Sequence, residues 1–341
     1  MVRWYLERFL PVWLVLLCLV AFVWPAMISN GPDPFLLSKP YLPHLIAVTM
    51  LAIGSLLPRE ELLGVFHRWP LVLFGTAVQY SSMPALAYLS SQVWGLEGPW
   101  LIGCLMVGCV PGAMASNVLT LIARGNVSYS VSLTTSATLL SPVVVPFVMW
   151  LTVGRFVEFP VIRTGVELLL MVVLPVAFGF ALSQLSTAWR SIAARVGPIV
   201  ANLVILWIIA VVVAANRTQL NAVNAILLAA LGMINFGGYA AGYLAAIAAG
   251  LPVGMRRALT LEIGMQNAGL GTTLTLSLFP DQPQAAIPCA LYTFGCMFTG
   301  TLLSRWMASF PVSSPPADKQ ESPAQGTPHR NRIVNHPPDD Q

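Results

Sequence analysis

The sequence predicts an all-α polytopic membrane protein of ten transmembrane helices, and three observations carry that reading. The 341 residues are 57% apolar and only 9% charged, against roughly 25% charge in an average soluble domain. The apolar residues run on in stretches of about 20, the length at which a helix crosses a ~30 Å hydrocarbon layer. The basic residues also sort by side. With both termini cytoplasmic, the cytoplasmic segments hold Arg3, Arg8, Arg59, Arg68, Arg124, Arg190, Arg195, Arg256, Arg257, Arg305, Lys319, Arg330 and Arg332, which is 13 of the 17 basic residues. Lys39, Arg155, Arg163 and Arg217 stay outside. This positive-inside bias fixes orientation and requires an even number of spans, in a cell (inner) membrane.

The spans fall at 10–29, 41–57, 70–92, 98–123, 128–153, 164–185, 196–215, 220–249, 258–279 and 284–304. Continuous apolar runs exclude a β-barrel, whose strands alternate. The first span follows Arg3 and Arg8 as a signal peptide would, but it is long enough to cross and carries Trp24-Pro25 where small residues would prepare cleavage. It reads as an uncleaved helix. Cys18, Cys104, Cys109, Cys289 and Cys296 all fall inside spans without metal-ligand spacing and read as packing residues. Residues 311–341, rich in Pro and polar side chains, read as a disordered cytoplasmic tail that solvates His329 and His336.

Ten spans divide into five and five, with repeats at 1–154 and 155–310. An odd number per half places the second half upside down, as in inverted-repeat transporters. The fourth span of each half is interrupted. One contains GCVPGAMASNVLT (108–120), the other EIGMQNAGLGTT (262–273), and each sets Gly around a polar pair, Ser116-Asn117 or Gln266-Asn267. Asn117 lies seven residues from Arg124, and Glu262 to Asn267 lie five to ten residues from Arg257. At 1.5 Å per residue both segments reach similar depths, about 8–15 Å. Broken helices there turn carbonyls and half-helix dipoles toward each other, which suits cations and anionic groups respectively.

Glu262 is the one charged residue deep in a span; Glu167 lies near the start of span 6, within reach of the interface. An intramembrane carboxylate costs at least a few kcal/mol and points to function. Cation ligand, proton carrier and structural partner are all open to it. Ser116, Asn117, Ser130, Thr134, Gln266 and Gln79 offer neutral oxygens in spans, the ligand type hard cations prefer. Pro111 precedes Gly112 and helps unwind span 4, while Pro84, Pro142, Pro146 and Pro288 read as kinks. Trp69, Trp94, Trp100 and Trp189 lie near span ends, as interfacial belts do. No phosphate-cradling loop, HExxH or G-x-S-x-G motif occurs, so neither an enzyme nor a nucleotide-driven pump is indicated, and the charge distribution excludes a nucleic-acid partner.

The stretches PGAMASNVLTLIARGNVSYSVSLTTSATLLSP (111–142) and EIGMQNAGLGTTL (262–274), with Gln79 in AVQYSSMPALAY, resemble the bile acid:sodium symporter family in its ten-helix bacterial form. The resemblance covers residues 8–308. It implies a core domain of spans 3–5 and 8–10, a panel domain of spans 1, 2, 6 and 7, and discontinuous spans 4 and 9 that cross. It implies one sodium site from Ser116, Asn117, Ser130, Thr134 and Glu262. A second would use Gln79, Glu262, Gln266 and the carbonyls of Ile263 and Met265. Substrate would face Asn267 and the turn Pro111, Gly112, Ala113, Met114 and Ala115. Family members often carry His-Asn in span 10; this chain has Cys296 and Met297. The function implied is sodium-coupled symport of an organic anion by alternating access. The coupling ions are two Na⁺, no cofactor is needed, and the cargo ranges from bile-acid-like steroids to small carboxylates such as pantoate or a 2-keto acid. H⁺ coupling through Glu262, a channel and a ligand sensor are the competing readings.

Overall fold

The computed structural model describes residues 10–28, 31–60, 68–154, 158–220 and 223–310. The tail expected at 311–341 lies outside them, as do Arg3, Arg8 and Arg155.

Helix α1 is Leu10–Met27. Helix α2, Pro34–Ser38, starts where the Asp33 carboxylate accepts from Phe35 N at 3.0 Å and Leu36 N at 3.3 Å, satisfying amides that have no partner inside the helix. A 3₁₀ turn, Lys39–Tyr41, joins it to α3, Leu42–Leu56. Then come α4 (Trp69–Val93), α5 (Gly98–Cys109), α6 (Ala115–Ile122) and α7 (Val127–Thr152), the last capped by the Asn126 side chain on Tyr129 N at 2.9 Å. Helix α8, Val161–Leu168, widens into a π segment, Leu169–Val173, before α9, Leu174–Leu185. Pro175 in α9 has no N–H to return to the preceding turn, which accounts for the widening there. Helices α10 (Thr187–Ala215) and α11 (Ala225–Ala248) are capped by Ser186 and Asn224. Helices α12 (Val253–Gly264) and α13 (Ala268–Leu278) precede a 3₁₀ turn, Pro283–Ala286, that leads into α14 (Ile287–Ala308).

Among the described residues, six helical stretches are long and apolar enough to cross a membrane: 34–56, 127–152, 161–185, 187–215, 225–248 and 283–308. Large apolar side chains such as Leu19, Val143, Ile162, Phe178, Leu185, Leu244 and Phe298 point outward and are exposed, the inverse of a water-soluble surface. The protein is a multi-pass membrane protein. Helix α4 is long enough but carries Gln79, Ser81, Ser82, Ser90, Ser91 and Gln92. The pairs α5/α6 and α12/α13 are each interrupted near the middle.

Several span boundaries move. The second begins at Pro34 rather than 41 because Asp33 caps an extra turn. The seventh begins at Thr187 rather than 196, where Arg190 and Arg195 depress hydropathy while Ser186 still starts the helix. The eighth begins at Ala225 rather than 220, at its Asn224 cap. The ninth begins at Val253, so Arg257 is a buried helical residue rather than a loop cation. Its guanidinium donates to Ala123 O at 2.7 Å and Phe310 O at 2.9 Å, the open ends of α6 and α14.

The helices pack in two groups. In one, α4 lies against α5, α7 and α11, α11 against α12, and α14 against α5, α6 and α13. In the other, α3 lies against α9 and α10, and α10 against α1 and α2. Arg217 ties the second group together, pairing with Asp33 at 2.6 Å and donating to Ala21 O from Nε at 2.9 Å. The groups meet where α7 touches α8 and where α13 touches α3 and α10. At that seam Glu167 accepts from Ser277 Oγ at 3.0 Å and pairs with Arg163 at 2.9 Å.

Candidate functional site: two helix breaks crossing at a carboxylate

Helix α5 ends because Pro111 pushes Val110 out of the helical region, to φ −71°, ψ 156°. Helix α12 ends at Gly264, and Met265 is extended at φ −114°, ψ 106°. The two extended segments lie antiparallel, with Gly112 opposite Gln266. Ala113 N donates to Met265 O and Asn267 N donates to Pro111 O, both at 2.8 Å. Each break therefore supplies a backbone partner to the other, as interrupted backbone at membrane depth requires. Asn267 then starts α13 by accepting from Leu270 N at 3.2 Å.

Glu262, on the last turn of α12, is 2% exposed. Its carboxylate accepts from Ser116 Oγ on α6 and from Thr134 Oγ1 on α7, the latter at 2.7 Å. Asn117 Oδ1 accepts from Ser130 Oγ at 2.8 Å and Thr134 Oγ1 at 3.4 Å, and Thr120 Oγ1 donates to Ser130 Oγ at 3.3 Å. Gly112 passes directly over the carboxylate, where a Cβ would overlap Glu262 Oε1. All five residues expected at the first ion site thus converge: Glu262, Ser116 and Thr134 in contact, Ser130 and Asn117 one hydrogen bond away.

A second cluster lies on the far side of the break. Gln79 Nε2 donates to Gln266 Oε1 at 2.8 Å, and Gln266 Nε2 donates to Ile263 O at 3.1 Å. Gln79 Oε1 is buried and lacks a partner among the described residues. That is an orphaned acceptor of the kind that seeks a donor or a cation. Met265 O, also expected here, faces Ala113 instead, with its second lone pair still available.

Of the residues expected to face substrate, Pro111 and Gly112 are buried in the crossing, while Ala113, Met114, Ala115 and Asn267 are partly exposed. Met297 packs with Ala113 and Ala115 in a small apolar cluster around Tyr239 and Met265. Cys296 is turned inward, 2% exposed.

A model described as the Sodium Bile acid symporter family matches residues 43–223, more than half of the chain. The human ileal sodium/bile acid cotransporter is 30% identical over 246 residues, 70% of each chain. The chain belongs to the Sodium Bile acid symporter family. Within that family it is also similar to an uncharacterized sodium-dependent transporter, YocS, of Bacillus subtilis, at 27% identity over 86% of this chain and 89% of the relative. A probable chloroplastic sodium/metabolite cotransporter, BASS1, of Arabidopsis thaliana is 27% identical over 88% of this chain and 74% of its own. As a member of the symporter family, the protein is a membrane transporter and not an enzyme.

This symporter also holds polar residues around the crossing that the sequence reading passed over. Thr120 extends the hydroxyl chain. Asn235, Tyr239, Tyr292 and Thr299 form a hydrogen-bonded cluster behind the α12 break, with Asn235, Tyr239 and Tyr292 buried. Asn235 carried a readable signal, an amide in the middle of an apolar run. Tyr239, Tyr292 and Thr299 look like ordinary membrane-helix residues until they are brought together.

Proposed function

We propose that the protein couples inward movement of Na⁺ to uptake of an organic anion by alternating access. The observation that carries this is the Glu262 carboxylate, buried at the crossing and surrounded by hydroxyls and amides rather than by a bonded cationic side chain. Hydrogen bonds to a charged group contribute about 1.5–3 kcal/mol each, so at the lower end two of them leave part of the several kcal/mol needed to bury a carboxylate unmet. A cation supplies the remainder, and weakly held Na⁺ suits one carboxylate among neutral oxygens. One Na⁺ takes Glu262, Ser116, Asn117, Ser130 and Thr134. A second takes Gln79, Glu262, Gln266 and the carbonyls of Ile263 and Met265; the orphaned Gln79 oxygen supports it.

Two Na⁺ and one carboxylate leave about one net positive charge, which a monoanionic carboxylate neutralises beside the helix start at Asn267. The apolar lining from Ala113, Met114, Ala115 and Met297 fits a bile-acid-like or a smaller carboxylate such as pantoate or a 2-keto acid. Counting each interrupted pair as one passage gives ten spans, as inverted repeats 1–154 and 155–310 with both termini cytoplasmic in the inner membrane. Tyr80 on α4 and Tyr239 on α11 each donate to a carbonyl 57 positions further along, Ala137 on α7 and Cys296 on α14, which supports the duplication. The group built on α4–α7 and α11–α14 acts as core and the group on α1–α3 and α8–α10 as panel.

The test is uptake of labelled carboxylates into proteoliposomes under an imposed Na⁺ gradient, an imposed pH gradient, or neither. Accumulation driven by Na⁺ alone supports the coupling. Accumulation that follows pH in Na⁺-free buffer replaces it with proton coupling through Glu262.

A further inference from the structure

Around the α12 break the carbonyls of Glu262, Ile263, Gly264 and Met265 all find partners outside the regular helix pattern. Glu262 O accepts from Met265 N at 3.4 Å, Ile263 O from Gln266 Nε2 at 3.1 Å, and Met265 O from Ala113 N at 2.8 Å. Those partners belong to the crossing itself. Gly264 O is different. In an unbroken helix it would accept from Ala268 N, but Ala268 N turns to Gln266 O at 2.8 Å. Instead Asn235 Nδ2 on α11 donates to Gly264 O at 2.9 Å, and Tyr292 OH on α14 donates to it at 2.8 Å. Both side chains are buried. Thr299 Oγ1 donates to Asn235 Oδ1 at 2.7 Å, which fixes the amide so that its nitrogen faces the break. The Tyr239 hydroxyl lies 3.1 Å from Thr299 Oγ1. Close approach is built in: a Cβ on Gly264 would overlap the Tyr239 ring, and one on Gly238 would come within 3.0 Å of Gly264 Cα.

A carbonyl held from behind by two donors fixes the plane of its own peptide and narrows the dihedral freedom of the residues on either side. With Gly264 O drawn toward α11 and α14, the Met265 carbonyl meets Ala113 N in the crossing and the Ile263 carbonyl meets the Gln266 side chain, which adjoins Gln79. We infer that Asn235 and Tyr292 are positioning residues for cation binding, clamping Gly264 O so that the neighbouring carbonyls are preset as ion ligands. The clamp touches neither the ion nor the cargo. It lowers the reorganisation needed when the ion arrives, the usual gain from a preorganised site. This inference rests on the sodium reading above and deepens it.

The test uses the full-length protein in detergent and reads the Na⁺ concentration at half-maximal thermal stabilisation, with choline chloride holding ionic strength constant. Tyr292→Phe removes one donor and little volume. It raises the Na⁺ midpoint by about fivefold, as loss of one buried hydrogen bond does, while melting in choline alone stays close to that of the unmodified protein. Asn235→Leu together with Tyr292→Phe raises it further. Tyr80→Phe is the comparison, since it loses an equally buried 2.7 Å hydrogen bond, to Ala137 O in the other half, and leaves the midpoint unchanged. Equal midpoints for Tyr292→Phe and the unmodified protein overturn the clamp while leaving sodium binding intact. So does an equal shift for Tyr80→Phe. An unmodified protein that shows no Na⁺-dependent stabilisation overturns the sodium reading and the clamp with it.

Discussion

Glu262 sits where an uncharged residue would be cheaper to bury, and its hydroxyl shell is arranged for a charge. Glu262→Gln keeps the volume and one carbonyl oxygen but removes the charge that attracts a cation. We expect the variant to melt in choline close to the unmodified protein and to lose Na⁺-dependent stabilisation, measured by thermal shift; a linked ligand at 100 times its Kd otherwise contributes about 2.7 kcal/mol. Gly112→Ala acts on the same group from the backbone side. Its Cβ overlaps Glu262 Oε1, so the crossing must open, at a cost of about 1–3 kcal/mol. The expected result is a lower melting temperature together with a weakened Na⁺ response, against a neutral outcome for Gly→Ala in an ordinary helix exposed to lipid. Glu262, Ser116, Asn117, Gln79 and Gln266 were legible in the sequence because polar groups are rare in apolar runs and cost energy there. Asn235 was equally polar and was passed over, because it stands alone in its run and its partners come from α12 and α14, distant in sequence.

At the scale of elements, the two interruptions were legible through Pro111 and the Gly-bracketed polar pairs. Their antiparallel pairing was not, because backbone hydrogen bonds between segments leave no mark on side-chain identity. The start of α12 was misplaced for a related reason. Arg256 and Arg257 look like loop residues by hydropathy, yet Arg257 finds two free carbonyl ends to donate to. Asn267 caps α13 and, in the proposed mechanism, faces the cargo, and a substitution separates the two. Its side chain caps α13, and Asp caps about as well, so Asn267→Asp keeps the melting temperature. The added negative charge faces the place assigned to the anion. Carboxylate uptake falls by about tenfold or more, since like charges brought together cost several kcal/mol; Asn267→Ser, a capping residue without charge, retains more uptake than Asp in the same assay.

For the whole molecule, two helix groups meeting along α13 and between α7 and α8 predict relative motion during transport. Glu167 and Ser277 join the groups through a single hydrogen bond at the seam. In a Cys18→Ser background, Glu167→Cys with Ser277→Cys joined by a short cleavable cross-linker should abolish carboxylate uptake. Cleaving the linker restores it. Sodium-dependent thermal stabilisation persists throughout, because the proposed ion ligands all lie within one group. The grouping was beyond hydropathy alone and entered the sequence reading only through family resemblance, since lipid-facing and group-facing residues are equally apolar.

The mutual pairing of Pro111–Ala113 with Met265–Asn267 also bears on how the chain is made. The first break leaves the ribosome about 150 residues before the second, and until then Pro111 O and Ala113 N have no protein partner. Such groups cost several kcal/mol each in hydrocarbon. The nascent first half must therefore wait in a wetter setting, beside the insertion machinery or at the headgroup layer, and seat the segment around Pro111 only when the segment around Met265 arrives. Expressed alone, that half is a substrate for quality-control proteolysis; supplied with the second half as a separate chain, it is rescued.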